Sequence, residues 1–141
     1  MTPDQIDQFP AGPDLDTLIA EKVMDWRGIE RSNNVGWELQ GYPPNPQKLH
    51  IGGAHRVPDY STEIAAAWLV VERFESLGKR LILSNGKVST AEIGWAAGFY
   101  YVSKLPIEHL KPIADGFTGA SETAPLAICR AALKAVIGDK E

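Results

Sequence analysis

The sequence of 141 residues predicts an α+β protein, a three-layer α/β/α sandwich with helices flanking a mainly antiparallel central sheet. Three observations carry that expectation. Helical periodicity recurs at 14–26, 61–77 and 123–137, while two strand-like runs, "KRLILSNGKV" and "IGWAAGFYYVSK", follow one another closely enough to pair antiparallel. The last helix bears apolar residues on two opposed sides, and the bulky one needs a sheet to cover it.

Residues 1–13, with Pro3, Pro10 and Pro13 and few large apolar groups, read as a loose and flexible lead-in. A single domain is expected over 14–137, with a short tail at 138–141. In "DLDTLIAEKVMDW" Asp14 is a plausible N-cap, and a spacing of about 100 degrees per residue places Leu15, Leu18, Ile19, Val23 and Trp26 on one face. Asp16, Glu21 and Asp25 fall off that face, and Trp26 reads as core. From Gly28 to Asp59 the pattern is broken by "NN", "GYPPNP" and "GG", with short strands fitting 35–40 and 49–51. Irregular surface stretches of this kind often carry binding groups.

"PDYSTEIAAAWLVVERFESLG" is the clearest helix. Ser61 or Thr62 can cap it, Glu63 suits the positive end, and Gly78 can supply the left-handed stop. Its core arc collects Ile64, Ala66, Ala67, Val70, Val71, Phe74 and Leu77; Trp68 sits at the rim and Leu69 on the polar side. The next run ends at Asn85-Gly86, a tight-turn signal, and the second strand resumes near Ile93 after a long or bulged connection. A helical turn at 107–110 and a short strand near Phe117 are expected in the proline-punctuated segment that follows. In "SETAPLAICRAALKAV" Thr123 can cap and Pro125 is tolerated in the first turn. Leu126, Cys129, Leu133, Val136 and Ile137 form a bulky face expected to pack on the sheet. Ala124, Ala127, Ala131 and Ala135 form an opposite small-residue face, to be covered by a neighbour, left in water, or used for a homodimer.

"VPDYSTEIAAAWLVVERF" and "ETAPLAICRAALKAV", with "DLDTLIAEKVMDW" upstream, together resemble the phage ABA sandwich domain family of small bacteriophage and prophage proteins. The resemblance spans roughly residues 12–137, and this chain is longer than that pattern between Lys104 and Glu122. It implies a central sheet between helical layers. The family has no established activity or catalytic residues, so the resemblance implies no site.

Function classes are narrowed by composition. With 44% hydrophobic and 23% charged residues the chain is built to fold, and a net charge of −4 leaves no excess of Lys and Arg to displace counterions from a phosphate backbone. That argues against nucleic acid as the main partner, although Arg27, Arg31 and Arg56 are the residues such binding would use. No apolar run approaches the roughly 20 residues of a membrane span and no signal peptide opens the chain, so a place in the host cell cytoplasm is expected. The lone Cys129, in an apolar helix, reads as a small core residue.

No phosphate loop, paired cysteines, metalloprotease helix or nucleophile elbow occurs, so no catalytic residue, cofactor or metal is assigned. The reading is a non-enzymatic phage or prophage binding module acting on a host protein or a small anionic ligand. His50, His55, Arg56, Tyr60 and Ser61, just ahead of a helix start, are the candidate anion-binding group. Trp37, Trp68 and Leu69 are the candidate partner contacts. A small hydrolase or nuclease using His50, His55 and Asp59 is the alternative from a different class.

Overall fold

The computed structural model describes residues 2–33, 35–44, 54–87, 93–101, 111–112 and 119–139. Residues 3–8, where no element was expected, form a short helix α1 (Pro3–Gln8) closed by a capping box between Thr2 and Gln5, with Ile6 fully buried. Helix α2 (Pro13–Leu18) starts after Gly12 rather than Asp14. It runs without a break into a π-helical turn, Ile19–Val23, in which the Met24 N–H reaches back to the Ile19 carbonyl at 3.0 Å.

Three short antiparallel strands follow: β1 (Arg27–Arg31), β2 (Leu39–Tyr42) and β3 (His55–Arg56), in the order β1-β2-β3. The expected strand at 35–40 thus forms later in the chain, leaving Val35 wholly exposed, and the one expected at 49–51 lies outside the described residues. Strand β1 offers Ile29 as its one large apolar residue, too little alternation to mark a strand.

Helix α3 (Ile64–Ser76) buries Ala66, Ala67, Val70, Val71 and Phe74, as the wheel requires. Ile64 and Leu77, assigned to the same arc, are half exposed because they lie at the two ends of the helix, past its packed middle. Gly78 at φ +80° supplies the left-handed stop. Neither Ser61 nor Thr62 caps the helix. The N-cap is Glu63, with no side-chain bond, and Ser61 turns inward instead.

Strands β4 (Lys79–Lys87) and β5 (Ile93–Tyr101) make the expected antiparallel pair, from Lys79↔Tyr101 to Lys87↔Ile93. Asn85-Gly86 does not turn the chain: both residues sit within β4, opposite Trp95 and Gly94. Nine-residue strands outcompete the local preference of one dipeptide. The strands β6 (Lys111–Pro112) and β7 (Gly119–Ser121) also pair antiparallel with β5. The positions proposed for a helical turn at 107–110 and for Phe117 lie outside the described residues.

Helix α4 (Ala124–Asp139) packs on β5 and β7, on α3, and on the π turn and α1. Helix α3 also covers β4, and the Phe74 ring stacks on Phe99 of β5 at 4.2 Å between centroids, joining helix to sheet. This is the α+β architecture of helices against antiparallel sheet expected from the sequence.

Polar contacts set the rotation of α4. Cys129 donates to the Tyr60 carbonyl at 3.2 Å, Arg130 Nη2 to the Phe9 carbonyl at 2.9 Å, and Lys134 pairs with Asp7. Leu126 and Leu133 lie between those residues on the helix surface, so the bulky arc faces the N-terminal helices and the Tyr60 turn. Both arcs are covered, Leu126 and Leu133 on one side and Ala127, Ala131 and Ala135 on the other. Ala127, Ala131 and Ala135 have no exposed surface, so this face is covered within one chain and offers no homodimer contact.

Candidate functional site

The described members of the proposed anion-binding group are mostly engaged or buried within the chain itself. His50 lies outside the described residues, and His55 is exposed on β3. Arg56 is paired with Asp59 at 2.7 Å, which also engages the carboxylate that the hydrolase alternative needs. Tyr60 and Ser61 are buried. The donors of Ser61 are already taken by a carboxylate of the chain itself: its N–H and its hydroxyl both donate to Asp16 Oδ1, at 2.8 and 2.7 Å. The Gly12 N–H in turn donates to the Ser61 oxygen at 2.9 Å.

Asp16, expected off the core face, is thus 4% exposed and ties the start of α2 to the turn before α3. Burial holds its carboxyl above the ordinary carboxylate range, and the Ser61 hydrogen bonds only partly offset that. Burial likewise pushes the Cys129 thiol and the Tyr60 hydroxyl upward, so Cys129 stays protonated and inert, as its place in an apolar helix implied. These residues make a latch.

Two hollows adjoin Trp26, and Tyr60 of the proposed group lines one of them. One hollow of about 540 Å³ is walled by Glu21, Asp25, Trp26, Arg27, Tyr42, Pro43 and Pro44. Another of about 400 Å³ is walled by Met24, Pro58, Tyr60, Leu69, Glu72 and Arg73, and shares Trp26, Pro43 and Pro44 with the first. The two therefore form one groove, interrupted by the Trp26 ring and the proline pair, within the size range of ligand-binding clefts.

The groove is assembled by departures from regular backbone. The π turn inserts a residue into the helical register just ahead of Trp26, and such turns cluster at functional sites. Asp25 follows at φ +59°, a left-handed conformation rare for residues other than glycine, which swings the chain out of the helix and into β1. Glycines bring the rings down onto the small sheet. A Cβ on Gly41 would lie 3.3 Å from the Trp26 ring, and one on Gly28 would lie 3.1 Å from the Tyr42 ring.

Trp26 is half-buried and packs against the core beside Tyr60. Asp25 accepts from Arg73 Nη2 at 2.7 Å, while the Arg73 Nε–H is buried with no acceptor among the described residues. Aromatic faces, proline walls and a partly engaged guanidinium thus meet in one depression.

Of the proposed partner contacts, Leu69 lines this groove and is 41% exposed. Trp68 is 47% exposed on α3 beside it, forming with Ile64 an apolar strip outside the groove. Trp37 is half-buried in the β1–β2 connection and does not line the groove. The residues missed are Trp26, read as core, and Tyr42, Pro43 and Pro44. The aromatic-proline run "GYPP" in the longest irregular stretch was the signal for the last three. Among the described residues no helix is long and apolar enough to cross a membrane.

Antiparallel strands paved by helices, with a groove of aromatic and proline residues where the N-terminal helix turns into the first strand, define a small α+β protein. The model of the phage ABA sandwich domain matches residues 17–133, and the chain belongs to that family. Among solved structures it is similar to a phage protein from Bacillus cereus ATCC 14579, with a TM-score of 0.51 and 22% identity over 92% of this chain and 93% of the other. That likeness bears on the fold alone. No curated protein sequence matches the chain.

Proposed function

We propose that this protein is a non-enzymatic binding module of a phage or prophage, acting in the host cytoplasm on a host protein or small ligand held in the Trp26 groove. The observation that supports this reading is the groove itself, in which half-exposed Trp26, Tyr42 and Leu69 meet proline walls and the paired Asp25 and Arg73. Large apolar side chains left in a depression with a few polar groups are the usual makeup of a recognition site. The hydrolase alternative carries less, since its Asp59 is engaged by Arg56.

A binding screen of peptides and host metabolites, read by NMR chemical shifts of the four tryptophan indoles, tests the reading. Ligands should shift the Trp26 indole and lose at least tenfold in affinity when Tyr42→Ser and Leu69→Ser are combined. These positions are exposed enough to change without unfolding the chain. A screen in which no compound moves Trp26, or binding that the double variant leaves intact, refutes it.

A further inference from the structure

Resting on that reading of the groove, we infer that its occupant is a short proline-rich segment of a partner protein, in polyproline-II conformation and carrying a basic residue at its flank. Three features of the walls select this occupant. Aromatic faces flanked by proline suit the ring stacking by which proline-rich segments dock, and Trp26 and Tyr42 line the groove together with the Pro43-Pro44 pair.

Backbone chemistry excludes the main competitor. Pro43, Pro44 and Pro58 offer no N–H, so an extended strand laid along this wall would find no ladder of donors. A polyproline-II segment needs no ladder: its backbone is solvated and its carbonyls accept single hydrogen bonds. Arg27 and Arg73 line the two hollows and bring guanidinium donors to them. An amphipathic helix, in contrast, needs a continuous apolar trough, and Arg27 and Arg73 interrupt this one.

Charge selects the flank. Asp25 is neutralised by Arg73, whereas Glu21 in one hollow and Glu72 in the other have no ion-pair partner among the described residues. Two unpaired carboxylates, one lining each hollow, favour a cation beside the aromatic faces, and the chain's net charge of −4 acts in the same sense.

Fluorescently labelled 12-residue synthetic peptides, rich in proline and bearing one Arg at either end, test this by fluorescence anisotropy. Controls replace every proline by alanine at constant charge, or the Arg by norleucine. The expected result is binding in the micromolar range that weakens at least tenfold in the alanine series. The norleucine series should weaken about three- to tenfold. Glu21→Gln with Glu72→Gln should remove that preference for Arg while keeping the preference for proline. Alanine controls that bind as well as the proline peptides, with Trp26 shifting in both, would overturn the proline-rich occupant and leave the groove a binding site. Proline-rich peptides that fail to bind while a metabolite shifts Trp26 would do the same. If no probe of any class moves Trp26, the occupant and the groove reading fail together.

Discussion

Ser61→Ala isolates the latch that holds α2 against the turn before α3. Two hydrogen bonds are lost: the hydroxyl donation to Asp16 Oδ1 at 2.7 Å, and the acceptance from Gly12 N–H at 2.9 Å. The Ser61 N–H to Asp16 bond at 2.8 Å survives, because it belongs to the backbone. A buried carboxylate deprived of one of two donors and an amide deprived of its acceptor each cost about 1–3 kcal/mol. Ser→Ala opens no cavity of consequence, so the total is about 2–6 kcal/mol, a large share of the roughly 5–15 kcal/mol that stabilises a domain. Urea unfolding followed by tryptophan emission and circular dichroism should show a lower midpoint at unchanged slope. Ser76→Ala is the matched control, since its hydroxyl bonds to the Arg73 carbonyl at an exposed helix end and its loss should stay within about 0.5 kcal/mol. A Ser61→Ala protein as stable as that control would mean the latch contributes nothing.

Asp16→Asn tests the electrostatic side of the latch. The folded state holds the Asp16 proton more tightly than the unfolded chain does, so this group contributes stability at acid pH that is lost as pH rises from the ordinary carboxylate range through its raised value. Stability measured across that window should fall less steeply with rising pH in the Asn variant; an unchanged slope would refute the burial of a titrating carboxyl. Gly41→Ala places a Cβ 2.9 Å from Ile29 Cγ1 and 3.3 Å from the Trp26 ring, and should cost about 1–3 kcal/mol in denaturant midpoint while shifting tryptophan emission. Asp7→Ala removes the partner of Lys134, which is 6% exposed. With Asp7 itself half in water, the loss should be about 1–2 kcal/mol by chemical denaturation, and Lys134→Met should lose less than Asp7→Ala.

How much of this was legible in the sequence follows from what each residue's position depends on. The buried face of α3 was readable because a regular helix against a regular sheet obeys one period, and Ala66, Val70 and Phe74 follow it. Ile64 and Leu77 failed because periodicity carries no information on where the packed partner ends. The wheel separates two apolar faces of α4, and residues of both are buried. A wheel does not show which neighbour covers which side; Cys129, Arg130 and Lys134 fix the helix through contacts with residues 60, 9 and 7 that lie far off in the sequence. Ser61 looked like a cap because local sequence gives it that option. A carboxylate 45 positions away, at Asp16, competes better for the same hydroxyl.

The groove was the least legible part, and the reason lies in one inserted residue. A uniform helix from Asp14 onward would carry Trp26 into the same buried stripe as Leu15, Ile19 and Val23, and in that register it is a core tryptophan. The π turn breaks the uniformity: the Met24 N–H bonds to Ile19 and the Trp26 N–H to Ala20, at 3.0 and 2.8 Å, each reaching back past the α-helical partner. Trp26 therefore lags behind the stripe. The left-handed Asp25 then turns the chain toward the small sheet, where Gly41 has no side chain to hold the ring away. One face of the indole is left against the core and the other lines the groove. The backbone irregularities that made the helix hard to read are thus the same ones that move a large aromatic from the interior to the surface. No pattern of apolar spacing encodes that displacement.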